Sequence, residues 1–157
     1  MQSEAYIADA AAGENEGNRH MKYLLDTNVI SEIHKPHCNP KVKAFTDSIP
    51  TDDIFICALT IGELCYGMEK LPPGKKKHEL AVWLYTNVTK WFNGRIIPID
   101  TEVMMEWGKI RARANRIMPV VDTLIAAAAI THHMILVTKN TKDFDGIEGI
   151  NIINPWE

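Results

Sequence analysis

The feature that most constrains the fold is a regular alternation of short, continuously apolar segments with longer segments of helical periodicity. The apolar segments are "KYLL" (22–25), "DIFICALT" (53–60), "RIIPID" (95–100), "MILVTKN" (134–140) and "INIINPWE" (150–157). Each is flanked by stretches whose apolar residues recur at helical spacing. Strands that are apolar along their whole length are typical of a parallel sheet covered on both faces. The sequence therefore predicts an α/β fold, with ligands expected at the carboxyl ends of the strands.

Length and composition limit the class of protein. The chain has 157 residues, of which 46% are hydrophobic and 24% charged, as in a single globular domain. No apolar run approaches the ~20 residues of a membrane span, and no secretory signal precedes the first predicted strand. Three cysteines without a CxxC pair argue against a disulfide framework and fit a reducing compartment. We therefore expect a cytoplasmic protein with no membrane association.

Residues 1–20 differ in composition from the rest of the chain. They contain four acidic residues and one arginine, many small residues and no sustained periodicity. We predict that this leader is disordered and that it is translated upstream or expression-derived sequence, with natural translation starting at Met21. The predicted domain is then 21–157, in which 16 basic and 16 acidic residues balance. Its overall charge neither requires nor excludes a nucleic-acid partner.

Four carboxylates occur near the ends of the predicted strands. Asp26 follows "YLL", Glu63 lies in the first turn of the helix after "DIFICALT", Asp122 opens the helix before "MILVT", and Asp143 follows that strand. Each also has a structural interpretation. Asp26 and Asp122 could be N-caps, Thr60 and Glu63 could form a capping box, and Asp143 could be a turn residue.

The surroundings of these acids favour a metal site. Unpaired carboxylates in apolar segments are costly, and several together raise one another's pKa unless a cation neutralises them. Oxygen ligands suit Mg²⁺, or Mn²⁺ in its place, rather than zinc. The predicted supporting residues are polar and lie beside the acids: Thr27, Asn28, Thr138 and Asn140.

The ordered motifs "LLDTNVIS", "TIGEL", "VVDTLIAAAA", "VTKNTKDF" and "INPWE" resemble those of the PIN-domain ribonucleases, specifically the VapC toxins of toxin–antitoxin pairs. The resemblance covers residues 21–157 and implies a three-layer α/β/α sandwich with a central parallel sheet. It also implies Mg²⁺-dependent endoribonuclease activity, in which a metal-activated water hydrolyses the phosphodiester. Asp26, Glu63 and Asp122 match the family's acids. Asp143 is the favoured fourth acid, with Asn140 as the alternative, and the number of metal ions stays open.

The resemblance also implies partners. These are a VapB-like cognate antitoxin, a second copy of the chain in a homodimer, an RNA substrate, and promoter DNA bound only through the antitoxin complex. Nothing in the sequence selects the RNA target.

A basic cluster precedes Asp122. Lys109, Arg113 and Arg116 are spaced i, i+4 and i+7, which would place them on one helical face where an RNA backbone could reach the acids. A solvated helix face is the alternative.

Two other functions compete with a nuclease. One is a catalytically silent PIN-like protein-binding module. The other is a receiver-like phosphoacceptor, which Lys139 after its strand would suit but which needs a second acid beside Asp26, where the chain has Thr27 and Asn28.

Overall fold

The computed structural model describes residues 20–157, so the predictions for the leader lie outside the described residues apart from His20. Five parallel strands form one sheet in the order β3-β2-β1-β4-β5. The strands are β1 (Tyr23–Leu25), β2 (Ile54–Cys57), β3 (Ile96–Ile97), β4 (Ile135–Val137) and β5 (Asn151–Ile153). The predicted all-parallel sheet is confirmed, and the proline-containing segment forms its edge strand β3, as expected for a residue that lacks a backbone donor.

Helices form the crossovers between the first four strands, whereas a 3₁₀ turn and loop connect β4 to β5. The helices are α1 (Thr27–His34), α2 (Pro40–Asp47), α3 (Ala58–Glu69), α4 (Lys75–Val82), α5 (Thr89–Trp91), α6 (Thr101–Arg113) and α7 (Val120–Thr131). A π-helical segment, Trp83–Val88, joins α4 to α5. Short 3₁₀ turns at Thr51–Asp53 and Thr141–Phe144 precede β2 and follow β4. None of the helices within 20–157 is long and apolar enough to cross a membrane.

The pleat of the strands divides the core into two layers. Leu24 and Leu136 face one side of the sheet, where they pack with α6, α7 and Phe144. Leu25 and Val137 face the other side and pack with α1, α2 and the π-helical segment. Because both faces of each central strand are covered, alternation of polar and apolar residues is absent from the sequence. This arrangement is the predicted α/β/α sandwich.

The chain changes direction across the sheet at β1. From β1 it builds outward to β2 and β3, and then crosses back to place β4 on the other side of β1. Ligands of open parallel sheets bind at such a switch point, outside the carboxyl ends of the strands. Asp26 directly follows β1 and Thr138 directly follows β4, so the polar residues after these two strands meet at this point.

Candidate active site

Asp26 is the most buried of the candidate acids, with only 8% of its surface exposed. It leaves β1 at the centre of the sheet, and its backbone N–H donates to the Val137 carbonyl at 2.9 Å. The side chain caps α1, since Oδ1 accepts from the Thr27 N–H at 2.8 Å. The capping interpretation is therefore correct for Asp26, but it accounts for only one of its two carboxylate oxygens.

Neutral donors hold the other oxygen of Asp26. Oδ2 accepts from the buried Thr138 hydroxyl at 2.8 Å and from the Asn28 amide at 3.3 Å. The Asn28 amide also lies 3.2 Å from Thr138 Oγ1, and the Asn140 N–H donates to that oxygen at 3.1 Å. Burial raises the pKa of Asp26, and the hydrogen bonds from Thr138, Thr27 and Asn28 oppose that rise only in part. The result is a fixed carboxylate that forms no ion pair with a basic side chain of residues 20–157.

Glu63 lies on α3 and points toward the start of α1. Its Oε1 accepts from the Thr27 hydroxyl at 2.7 Å, and Thr27 Oγ1 lies 3.2 Å from Thr60 Oγ1. The predicted first-turn position and the capping box are both wrong. The helix begins at Ala58, with Cys57 at the N-cap, so Thr60 and Glu63 lie inside it. The residues that follow β2 are as apolar as the strand itself. The apolar pattern therefore did not show that the helix begins at Ala58.

Asp122 is the third residue of α7, and Pro119 occupies the N-cap, so the N-cap interpretation of Asp122 is wrong. The helix starts at the carboxyl edge of the sheet, which brings Asp122 into the same pocket as Asp26 and Glu63. The pKa of Asp122 is raised to about 6, chiefly by partial burial and then by the negative charges of Asp143, Asp26 and Glu63. The charge of Arg116 opposes this shift. The pKa of Asp122 thus depends on the charges of all three other acids.

The fourth acidic position is divided between two residues. Asn140 lines the pocket, whereas Asp143 is exposed on the following 3₁₀ turn and does not line it. Asp143 is still close enough for its charge to raise the pKa of both Asp26 and Asp122. The amide of Asn140 therefore lies in the pocket, and the carboxylate of Asp143 lies outside it but nearby.

The donor set suits a hard divalent cation. Asp26, Glu63, Asp122 and Asp143 supply carboxylate oxygens, and none of them forms an ion pair within the described residues. As the side chains stand, no three acidic, histidine or cysteine residues of 20–157 converge closely enough to hold one ion. Glu63 is turned toward the Thr27 hydroxyl, and its flexible side chain would have to rotate for joint ligation. The chemistry of the site fits Mg²⁺, with a side-chain rearrangement on binding.

The basic cluster is not on one helical face. Helix α6 ends at Arg113, so Arg116 lies in the loop before α7, and the i+7 expectation for it is wrong. Arg116 donates instead to the carbonyls of Asp143 at 3.0 Å and Asp145 at 3.1 Å. Lys109 instead forms an ion pair on its own helix, with its Nζ 3.7 Å from Glu106 Oε2. Arg116 is the member of the cluster that reaches the acids, through the turn that carries Asp143.

Sequence reasoning missed five residues that line the pocket: Ser31, Glu32, Lys35, Lys139 and Trp156. Two signals could have found four of them, and neither signal identifies Glu32. Positions 31 and 35 continue the helical face of Thr27 at steps of four residues. Lys139 and Trp156 follow the carboxyl ends of β4 and β5, where the rule that located Asp26 also applies.

Comparison with known proteins adds the family context. The sequence pattern of the PIN domain matches residues 23–149. Toxin FitB of Neisseria gonorrhoeae is 37% identical over 136 residues, which cover 85% of this chain and 97% of FitB. VapC ribonuclease Y4jK of Sinorhizobium fredii is 32% identical over 137 residues, which cover 85% of this chain and 97% of that protein.

Solved structures agree with the sequence matches. A chain in the crystal structure of FitAcB from Neisseria gonorrhoeae superposes with a TM-score of 0.80 at 36% identity, covering 86% of this chain and 99% of that one. A chain of VapBC2 from Rickettsia felis, solved bound to a DNA fragment from its promoter, gives a TM-score of 0.69 at 27% identity. That match covers 85% of this chain and 98% of that one.

Proposed function

Since this chain belongs to the PIN-domain family and groups with its VapC and FitB toxins, we propose that it is a metal-dependent endoribonuclease, the toxin of a toxin–antitoxin pair. The observation that carries the proposal is the set of mutually repelling carboxylates at the switch point of the sheet, without an ion-pair partner in 20–157. A fold needs no such cluster for its own stability. Family membership also makes the receiver-like alternative wrong.

The proposed cofactor is Mg²⁺, with Mn²⁺ able to replace it. Asp26, Glu63 and Asp122 would hold the ion, with Asp143 or Asn140 as a further ligand. When bound, such an ion lowers the pKa of a coordinated water and offsets the charge of the scissile phosphate. A second ion is compatible with the same set of donors if Asp143 takes part.

The side chains of this chain have distinct roles in the proposed hydrolysis. Thr138 and Asn28 fix the orientation of Asp26, and the Thr27 hydroxyl holds Glu63 within the pocket by a hydrogen bond. A carboxylate of the cluster accepts the proton of the attacking water, while no carboxylate attacks the RNA. Attack by water on phosphorus leaves a 5′-phosphate and a 3′-hydroxyl on the fragments.

The proposed partners follow from the relatives. Y4jK is named a VapC ribonuclease, and VapBC2 of Rickettsia felis was solved on promoter DNA. We propose a VapB-like antitoxin for this chain, promoter binding through that complex, a homodimer and a cytoplasmic location. Co-expression with a VapB-like antitoxin, followed by light scattering with and without it, tests the toxin–antitoxin complex and the homodimer.

The decisive experiment incubates the full chain with total bacterial RNA in Mg²⁺, in Mn²⁺ or in chelator. Asp26→Asn removes the central acid with little change in shape, and Asp47→Asn is the matched control because Asp47 is an exposed acid paired with Lys43 at 2.6 Å. We expect discrete fragments with 5′-phosphates that require both the metal and Asp26. Asp47→Asn should cleave like the wild type.

Two outcomes would contradict the nuclease. If the wild type binds metal by calorimetry but leaves RNA intact in both metals, the chain is a catalytically silent protein-binding module. If it neither binds metal nor cleaves, the carboxylates serve only the structure.

A further inference from the structure

One side of the active-site pocket is basic and aromatic rather than acidic. Lys139 follows β4 and Trp156 follows β5, and these strands are parallel neighbours, so both residues emerge at the carboxyl edge of the sheet. Both line the pocket that contains Asp26, Glu63 and Asp122. Lys139 Nζ lies 5.3 Å from the centre of the Trp156 ring. The nuclease proposal above assigns neither residue a role.

Trp156 is held in place before any ligand arrives. Its backbone N–H donates to Asn154 Oδ1 at 3.0 Å, and the Asn154 amide donates to Glu157 Oε1 at 2.9 Å. Pro155 is buried, and the indole packs against the core layer that contains Leu25 and Val137. Trp156 remains partly exposed where it borders the pocket. A rigid, partly exposed ring is a preorganised surface for stacking.

Lys139 forms no direct ion pair within residues 20–157, although its charge is close enough to lower the pKa of Glu32 in the same pocket. Lys35, in contrast, pairs with Glu32 at 2.6 Å. Its contact with the exposed side of Trp156 is worth only about 0.5–1 kcal/mol at a surface site. The ammonium group can therefore leave the ring for an anion at little cost.

The backbone of Lys139 is connected to Asp26 through the side chain of Asn28. Asn28 Oδ1 accepts the Lys139 N–H at 3.2 Å, and the Asn28 amide donates to Asp26 Oδ2 at 3.3 Å. One side chain thus sets the position of Lys139 relative to the central carboxylate. An anion bound by Lys139 would lie next to the reacting phosphate.

We propose that Lys139 and Trp156 form a subsite for one unpaired nucleotide beside the scissile phosphate. The indole stacks on the base, and the ammonium group contacts the adjoining phosphate. Stacking on aromatic side chains is the usual way in which proteins hold single-stranded bases, because every base offers a π face. The inference rests on the proposed ribonuclease function and deepens it. Such a subsite requires a nucleotide that is free to leave the stack of its neighbours.

Binding can be measured without cleavage. The full chain is titrated into a fluorescently labelled oligoribonucleotide of mixed sequence, single-stranded or annealed, in chelator so that no bond is cut. Trp156→Leu should weaken single-strand binding about tenfold, while Trp156→Phe, which keeps a ring, should stay within about threefold of the wild type. Neither variant should alter duplex binding by a similar factor.

The contribution of Lys139 can be measured from the salt dependence of binding. Lys139→Met keeps the apolar stem but removes the charge, so the slope of log Kd against log salt should fall by about 0.7, as for the loss of one phosphate contact on a single strand. Trp91→Leu and Lys43→Met are matched controls because both residues are exposed and neither lines the pocket. Thermal unfolding of every variant verifies that it is folded.

The proposal is overturned if Trp156→Leu and Lys139→Met bind the single strand like the wild type, or if the wild type does not prefer single strands over duplex. A cleavage assay in Mg²⁺ separates this result from the nuclease proposal. A raised KM with retained kcat for Trp156→Leu supports the subsite. Unchanged KM overturns the subsite while the nuclease stands. Trp156-dependent binding by a wild type that cuts nothing contradicts the nuclease while the subsite stands.

Discussion

Asp26 is a buried carboxylate whose direct hydrogen-bond partners are all uncharged. The Thr27 N–H, the Thr138 hydroxyl and the Asn28 amide donate to it. Such donors orient a carboxylate without neutralising it, so its charge remains available to a cation. A salt bridge would have fixed Asp26 equally well but would compete with a metal ion. At the residue scale, Asp26 is therefore distinguished by having no arginine or lysine of residues 20–157 as a direct partner.

Thr138→Val tests the orienting role of the hydroxyl. Valine keeps the shape of threonine but removes the donor to Asp26 Oδ2, so we expect Mn²⁺ binding by calorimetry to weaken about tenfold. Thr131→Val is the matched control, because the Thr131 hydroxyl is buried without a hydrogen-bond partner in the described residues. That control should bind Mn²⁺ like the wild type. Equal losses in both variants would mean that the hydroxyl of Thr138 does not act on Asp26.

Asp122→Asn should stabilise the metal-free protein at neutral pH. The folded-state pKa of Asp122 is raised from 3.8 to about 6, so the folded state binds this proton more tightly than the unfolded state. Stability linked to this group is fully present below about pH 4 and is lost as the pH rises through 6. Because solvent screens a partly exposed group, we expect a gain of about 1 kcal/mol at pH 7.5 from the variant. Urea titrations in chelator measure it.

The gain should vanish at pH 4, where Asp122 of the wild type is protonated when folded. Asp47→Asn, at an exposed acid, serves as the control and should show no such pH-dependent gain. A variant that is less stable than the wild type at pH 7.5 would contradict the repulsion among the four acids.

At the element scale, the sequence predicted the order and type of the helices and strands but misplaced several helix ends. Capping depends on which backbone N–H groups lie free, and sequence shows only that a suitable side chain is near. Glu63 and Asp122 both matched capping patterns, yet Cys57 and Pro119 occupy the caps. The end of α6 at Arg113 has no glycine or proline to mark it, and Arg111 holds the following loop by donating to the Met118 carbonyl at 2.8 Å.

The start of α6 gives an element-scale prediction. Asp100 is the N-cap, and its Oδ1 accepts from the Val103 N–H at 3.1 Å. Asp100→Ala should lower the free energy of unfolding by about 1 kcal/mol. Thr101→Ala, one residue later and exposed, should change it by less than about 0.5 kcal/mol. Denaturant unfolding of the two variants decides between the caps, and the reverse ranking would refute this one.

At the scale of the whole molecule, topology explains why acids far apart in the chain meet. Apolar strands predicted a parallel sheet, and a parallel sheet brings the residues after β1 and β4 to one edge. This much followed from the sequence. The pairing of Asn28 with Thr138, and of Lys139 with Trp156, did not, because strand order cannot be deduced from periodicity and these contacts depend on it.

The metal should stabilise the entire fold. An ion that binds only the folded state at 100 times its Kd raises the free energy of unfolding by about 2.7 kcal/mol. For a chain of this size that corresponds to a rise in Tm of roughly 5–10 °C. We expect this shift with Mg²⁺ or Mn²⁺ in a thermal melt and its loss in Asp26→Asn. A shift that persists in Asp26→Asn would place the metal elsewhere on the protein.

Asn28 makes two parts of the site depend on one side chain. Its amide contacts Asp26, and its carbonyl oxygen holds the backbone of Lys139. A substitution at position 156 should change which RNA is bound and leave the hydrolysis intact. A substitution at Asp122 should impair the hydrolysis and leave the choice of RNA unchanged. An aliphatic residue at position 28 would lose both contacts at once, because it can neither donate to Asp26 nor accept from Lys139. A change at position 28 that removes the amide should therefore alter both the choice of RNA and the activity.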